Sequence, residues 1–281
     1  MQVDRIRTFS FVDRIIAIDN PTLIKGTFTI PSVLVSFSQC LVAEAIGQLA
    51  AWYAMKSLEF AYRPVAALAG TTRYHAEARP GEKLDLFVQI ESCNAETISY
   101  SGYAKFGNCL VMELKDCAGA ILPQAEFDDP ATVEEHYKQL LADGVQNTNL
   151  DLATCLGPTD IRIDKLHYLR GRLDVPLYAD FFLDHFPKKP IFPATLLIQA
   201  LCTMVITYVS DVESSCSISV AAVNDVKIRG WMHPGDQLEL LAIDLSSRPS
   251  TRLFKVSTHR DGRLIATAKL VLDVGDSSVV S

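Results

Sequence analysis

The chain repeats itself, and that constrains it more than any other feature. Gly81 in ARPGEKLDL corresponds to Gly235 in MHPGDQLEL, 154 residues on, while Gly107 corresponds to Gly262 and Glu44 to Gln199, each 155 residues on. Three landmarks within one residue of a common offset indicate an internal duplication. Each copy carries one long apolar segment followed, and partly preceded, by strand-like alternation.

In the first copy, residues 9–31 alternate in strand fashion around an Asn20-Pro21 turn. From about Ser36 to Met55 the pattern becomes nearly continuous Leu, Val, Ala and Ile, too long for a strand, so it predicts a helix buried on most sides. Strands return over 66–91 with a turn at Arg79-Pro80-Gly81, and then as SYSGYAKF and CLVMELKDCAGAIL joined at Gly107-Asn108. The second copy runs through HYLRGRLDVPLYADFF, the apolar helix TLLIQALCTMVITYV, AAVNDVKIRGW, a His-Pro-Gly-Asp turn, QLELLAIDL and a final pair with Asp261-Gly262 at its hairpin. Between the copies, residues 126–160 are acidic, with one short helix from near Thr132 and a closing Gly-Pro. The expected division is therefore 1–125, a linker over 126–160, and 161–281. A helix apolar nearly all round needs a curved sheet wrapped about it. Two such sheets remove exposed edges by joining edge to edge. The fold class is α+β.

Composition narrows the rest. A hydrophobic content of 49% is ample for a real core, and a net charge of −7 argues against a nucleic-acid binder. No run of eighteen or more apolar residues marks a membrane span, and MQVDRIRTFSFVDR lacks a signal peptide's apolar core. Cys40, Cys93, Cys109, Cys117, Cys155, Cys202 and Cys216 are scattered without a CxxC pair. Free thiols in a reducing cytoplasm are expected, rather than zinc sites or a disulfide framework. Histidines at metal-ligand spacing and Gly-rich phosphate loops are missing, so no metal or other cofactor is implied.

Two segments carry candidate chemistry. HFPKKPIFPATLLIQA places His185 on a loop that prolines hold in one shape before an apolar helix. FSQCLVAEAIGQLAAW places a lone carboxyl, Glu44, among apolar neighbours, with Gln48 one turn on along the same face. A histidine suits base chemistry near neutrality, and a carboxyl can serve as an acid there only where burial raises its pKa. Pro193 reads as a first-turn residue, leaving the amides of Ala194 and Thr195 at the positive end of a helix dipole. Gln199, with Thr203 and Thr207 on its stripe, is given no catalysis, and His233 reads as a turn residue.

At these residues the chain resembles the hot-dog-fold β-hydroxyacyl-ACP dehydratases of bacterial fatty-acid synthesis. The resemblance rests on His185-Phe186-Pro187, Pro190 and Pro193, on Asp225 to Arg229 before Pro234-Gly235-Asp236, and more weakly on Val12 to Arg14 and Glu44 to Gln48. It implies a double hot dog: two antiparallel sheets, each around a long central helix, joined as a pseudo-dimer. The family carries an acid fourteen residues after its histidine and a glycine at the position of Ala194; here Gln199 and alanine stand instead. The first copy keeps Glu44 but lacks the histidine loop. The losses are complementary, so His185 and Glu44 would complete one site across the two copies. By the same resemblance, the Ile191 carbonyl orients the imidazole; the Ala194 or Thr195 amide is placed to polarise the thioester carbonyl, and Gln48 is the orienting companion of Glu44. Substrates would be (3R)-hydroxyacyl thioesters on acyl carrier protein, met by Lys188, Lys189, Arg170, Arg172, Lys227 and Arg229. Two rival readings are a hot-dog thioesterase and a non-catalytic acyl- or carrier-binding module. A cytoplasmic monomer or homodimer is expected.

Overall fold

A computed structural model describes residues 8–145, 157–165, 168–213, 216–248 and 250–276. Strands β1 (Arg14–Asn20) and β2 (Leu23–Thr29) lead into helix α1 (Gln39–Ser57). Strands β3 (Tyr62–Tyr74), β4 (Lys83–Cys93), β5 (Thr97–Phe106) and β6 (Cys109–Pro123) follow, then α2 (Pro130–Ala142). The sequence then repeats as β7 (Thr159–Lys165), β8 (Tyr168–Asp174), α3 (Ala194–Val212), β9 (Cys216–Ile228), β10 (Gln237–Asp244), β11 (Thr251–Arg260) and β12 (Arg263–Asp276).

All twelve strands form one antiparallel sheet in the order β1-β2-β4-β5-β6-β3-β9-β12-β11-β10-β8-β7. Reading inward from either edge gives the same connectivity, which is the signature of a double hot dog. The two sheets expected from sequence are thus one, joined where β3 pairs β9. That seam has two-fold register: Leu68 faces Lys227, and Arg73 faces Ala222. Leu68 and Ala222 are equivalent positions 154 residues apart, as are Arg73 and Lys227, so the pairing is isologous.

Helices α1 and α3 are each nineteen residues long and bury Leu41, Ala45, Ile46 and Leu49, or Leu197, Leu201, Met204 and Val205, at 0% exposure. Ser38 caps α1, accepting a bond from the Cys40 amide. By length and composition α3 is apolar enough to cross a membrane, a run the sequence reading did not count. Here it packs against β8 and β9 as a core helix.

Four sequence expectations change in detail. Helix α2 begins at Pro130, because the Asp129 carboxylate caps the Thr132 amide at 2.9 Å. Strand β7 was not anticipated. Its seven residues include four charged ones and carry little apolar alternation, so pairing to β8 defines it. The hairpin registers align Gly107 with Asp261, one residue short of the glycine match, since Asp85 pairs Lys105 and Glu239 pairs His259. Both turn residues have positive φ, 56° and 50°. Finally, Pro193 is the N-cap of α3 and not its first-turn residue. Cys155 and most of the linker's second part lie outside the described residues.

Leu49 tests the helix-in-sheet packing: it is fully buried, and its methyl groups lie against Gly26 of β2. Leu49→Ala should lower unfolding free energy by about 2–5 kcal/mol in urea titrations.

Candidate active site

The loop before α3 is fixed from several directions. The His185 amide donates to the Phe181 carbonyl at 2.9 Å, and the Ile191 amide returns to the His185 carbonyl at 3.0 Å. Lys188 N–H donates to the Phe127 carbonyl and Phe192 N–H to the Met232 carbonyl, tying the loop to the segment before α2 and to the turn after β9. The imidazole Nδ1 sits 2.7 Å from the Ile191 carbonyl oxygen, which leaves Nε2 as the free base position.

Glu44 projects from α1 in the other half. Gln48 Nε2 donates to its Oε1 at 3.0 Å, and the Thr195 hydroxyl donates to its Oε2 at 2.8 Å. The Gln48 amide cannot turn: Oε1 accepts from the Phe11 amide at 2.8 Å, and Nε2 also donates to the Phe9 carbonyl at 3.0 Å. That N-terminal segment is held by the carboxylate of Asp184, which accepts from the amides of Thr8 and Phe9 at 2.6 and 2.8 Å. Asp184 neighbours His185, so a chain of hydrogen bonds runs from the histidine loop to Glu44 and back to α3.

Glu44, Gln48, His185, Ala194 and Thr195 line one cavity of about 270 Å³. The sequence-predicted pair is brought together, one member from each half. Gln48, read from sequence as the companion of Glu44 on its helix face, bonds that carboxylate, and the Thr195 hydroxyl adds a contact that the sequence did not suggest. The first-turn amides of α3 have no side-chain cap, and Ala194 and Thr195 line the cavity. The cavity extends beneath α1, where Ala43, Gly47, Ala50 and Ala51 leave room above Ile98 and Leu114. At its floor burial pushes the Tyr100 phenol well up and the Cys117 thiol to about 12. Both stay neutral, which suits a hydrocarbon guest.

The six candidate carrier contacts do not form one patch. Arg170 and Arg172 lie on β8 in ion pairs with Glu239 and Asp174, four strands from the β9 strand that holds Lys227. Arg229 turns to Thr267. Lys188 and Lys189 stay at the histidine loop, Lys188 donating to the Ala125 and Asp128 carbonyls and Lys189 pairing with Glu126 near the Phe127 and Trp231 rings. Sequence reasoning missed Asp184 and Arg63, another cavity-lining residue. Asp184 could have been noticed as the histidine's neighbour; Arg63, in β3 of the other half, gave no local signal.

Burial lowers the His185 pKa. The Glu44 carboxylate and the Ile191 carbonyl oppose that shift, and the Arg63 charge adds to it. The ring is therefore neutral at pH 7 and available as a base. His185 should titrate below the ordinary value of about 6.5 in NMR. Glu44→Gln removes a charge that favours the imidazolium, so it should move that titration lower still.

The chain is similar to known proteins in family and fold. Residues 159–269 match the family model of the FabA-like domain. The 3-hydroxyacyl-[acyl-carrier-protein] dehydratase FabZ of Syntrophobacter fumaroxidans is 32% identical over 109 residues, 37% of this chain and 74% of that enzyme. The FabZ of Pectobacterium atrosepticum is 30% identical over 112 residues, 38% of this chain and 74% of that enzyme. Among solved structures, the dehydratase domain of PpsC from Mycobacterium tuberculosis superimposes with a TM-score of 0.56 at 9% identity, covering 95% of this chain and 99% of that one. A putative oleoyl thioesterase from Lactobacillus plantarum gives 0.60 at 10% identity, over 91% and 97%. At such identities the structural likenesses speak to the fold alone.

Proposed function

Because this chain belongs to the hot-dog-fold dehydratase family that includes FabZ, we propose that it dehydrates (3R)-hydroxyacyl thioesters to trans-2-enoyl thioesters, with His185 and Glu44 as its single catalytic pair. The observation that carries the reading is that these two side chains, one from each half, face the same cavity.

Neutral His185 takes the C2 proton through Nε2. The C2–H electrons form the C2=C3 bond as the C3–O bond breaks, and Glu44, a carboxylate in the empty site that takes up a proton as the substrate fills the cavity, gives the departing hydroxyl the proton that makes it water. The proton on His185 then returns to Glu44 to reset the site. Charge on the thioester oxygen during C2–H cleavage is met by the first-turn amides of α3. The methyl of Ala194 leaves the backbone donor intact. The acyl chain lies under α1, between Gly47 and the Tyr100–Cys117 floor. The equivalent positions of Ala43, Gly47, Ala50 and Ala51 in α3 are Ile198, Cys202, Val205 and Ile206, and Tyr100 is replaced by Phe254. Bulkier side chains thus stand at these helix positions in the second half, where the cavity lined by Cys202 and Ile206 does not reach Phe254.

The thioester arrives on acyl carrier protein, an acidic partner met by Lys188, Lys189, Lys227 and Arg229, in fatty-acid or polyketide-type synthesis in the cytoplasm. The seam between β3 and β9 takes the place of a dimer interface, so a monomer suffices for one site.

Incubation with 3-hydroxyacyl carrier protein separates this reading from hydrolysis. Dehydration gives the reversible absorbance of a conjugated enoyl thioester, whereas a thioesterase releases carrier thiol. His185→Ala or Glu44→Gln should slow enoyl formation by ~10²–10⁴-fold with circular dichroism unchanged. Binding without turnover, unchanged by His185→Ala, would instead mark a binding module. Ala51→Leu should abolish turnover of a 3-hydroxydecanoyl substrate and spare the 3-hydroxybutyryl one, checked by parallel steady-state assays.

A further inference from the structure

Arg63 has no part in the roles above. It stands near the start of β3, in the half that supplies Glu44, yet lines the cavity that holds His185. Its guanidinium carbon lies 3.8 Å from the centroid of the Phe186 ring and 5.6 Å from that of Phe127. Phe186 in turn stacks on the His185 imidazole, with centroids 4.2 Å apart and planes 24° from parallel. Phe127 meets Phe186 edge-on at 5.2 Å. The Phe186 ring thus contacts the guanidinium and the imidazole together, the first contact being a cation–π pair. The equivalent position in β9 holds Ser217, so this cation is found only in the half that faces the histidine.

We propose that Arg63 is a positioning residue for His185, acting through the Phe186 ring to hold the imidazole and through its charge to oppose the Glu44 carboxylate. A planar guanidinium against Phe186 limits rotation of the ring that flanks the base. A lysine at this site would keep the charge but not the flat contact. The ionisable groups that line the cavity with His185 are Glu44 and Cys40 from α1, Arg63 and Tyr74 from β3, Tyr100 from β5, Cys117 from β6, Asp184 beside it in the loop, Asp128 ahead of α2 and His136 within α2. Glu44 and Arg63 act on the imidazole with opposite sign. One carboxylate oxygen of Asp184, Oδ2, accepts from the Thr8 and Phe9 amides.

The inference rests on the proposed dehydration where turnover is read, but not where the imidazole itself is observed. The full chain is compared with Arg63→Met and Arg63→Lys. Arg63→Met should raise the His185 titration midpoint in NMR, move the acidic limb of kcat/KM the same way, and lower kcat roughly tenfold to a hundredfold. Arg63→Lys should keep the midpoint near that of the parent while kcat still falls. A wild-type midpoint and rate in Arg63→Met would overturn the proposal. Should Arg63→Met fail to fold by circular dichroism, a wild-type kcat in Arg63→Lys overturns the stacking role instead. A raised midpoint in a chain that dehydrates no 3-hydroxyacyl thioester would sink the proposed function and leave the electrostatic link standing.

Discussion

The pairing of β3 with β9 is the constraint on which the site depends. Its isologous register relates the two halves by rotation, so whatever α3 presents to α1 at one end, α1 presents to α3 at the other. Thr195, in the first turn of α3, reaches Glu44 on α1. Rotation brings Cys40, in the first turn of α1, toward Gln199 on α3. Both residues line a second cavity, with Tyr74, Cys202 and Thr203. That cavity is the mate of the first.

The mates have diverged in every group that matters. Glu44 is matched by Gln199, Gln48 by Thr203, Thr195 by Cys40 and Arg63 by Ser217. Thr203 no longer reaches along its helix to orient a neighbour, because its hydroxyl bonds the Gln199 main-chain carbonyl at 3.0 Å. The buried Gln199 side-chain oxygen accepts no hydrogen bond from the described residues. Where a hydroxyl grips a carboxylate in the first cavity, two thiols face one another in the second. The bond from Cys202 is the chief reason the Cys40 thiol sits below its ordinary value, while Cys202 is pushed up. A duplicated chain needs one competent pair, and the second position has been left to packing.

Much of this was legible in the residues. The near-constant offset between copies and the apolar helices lie in local sequence. The resemblance to the dehydratases, with its complementary loss of one acid and one histidine loop, implied the double hot dog and the pairing of His185 with Glu44. The partners of the pair were less legible for a physical reason: they act through long-range contacts. Gln48 was visible on the face of Glu44, but the backbone that locks it, at Phe9 and Phe11, belongs to a segment before β1. Arg63 lies over a hundred residues from the ring it contacts. The arginines of β8 looked like a basic patch because sequence does not reveal cross-strand partners such as Glu239.

A neutral imidazole beside a carboxyl group is an unstable choice electrostatically, since a carboxylate pulls a proton onto the ring. Burial of the ring and the Arg63 charge oppose that pull, and both require the halves to be joined. The bonds that orient the groups show the same dependence. Asp184 of the second half fixes Thr8 and Phe9 of the first; Phe9 and Phe11 fix Gln48; Gln48 fixes Glu44; and Thr195 closes the path back to α3. The first and last of these links cross between halves, and the two between them lie inside the first. The imidazole is held by Ile191 of its own half, whereas Glu44 takes one of its two hydrogen bonds from Thr195 of the other, so the placement of the carboxyl group against the ring depends on the seam.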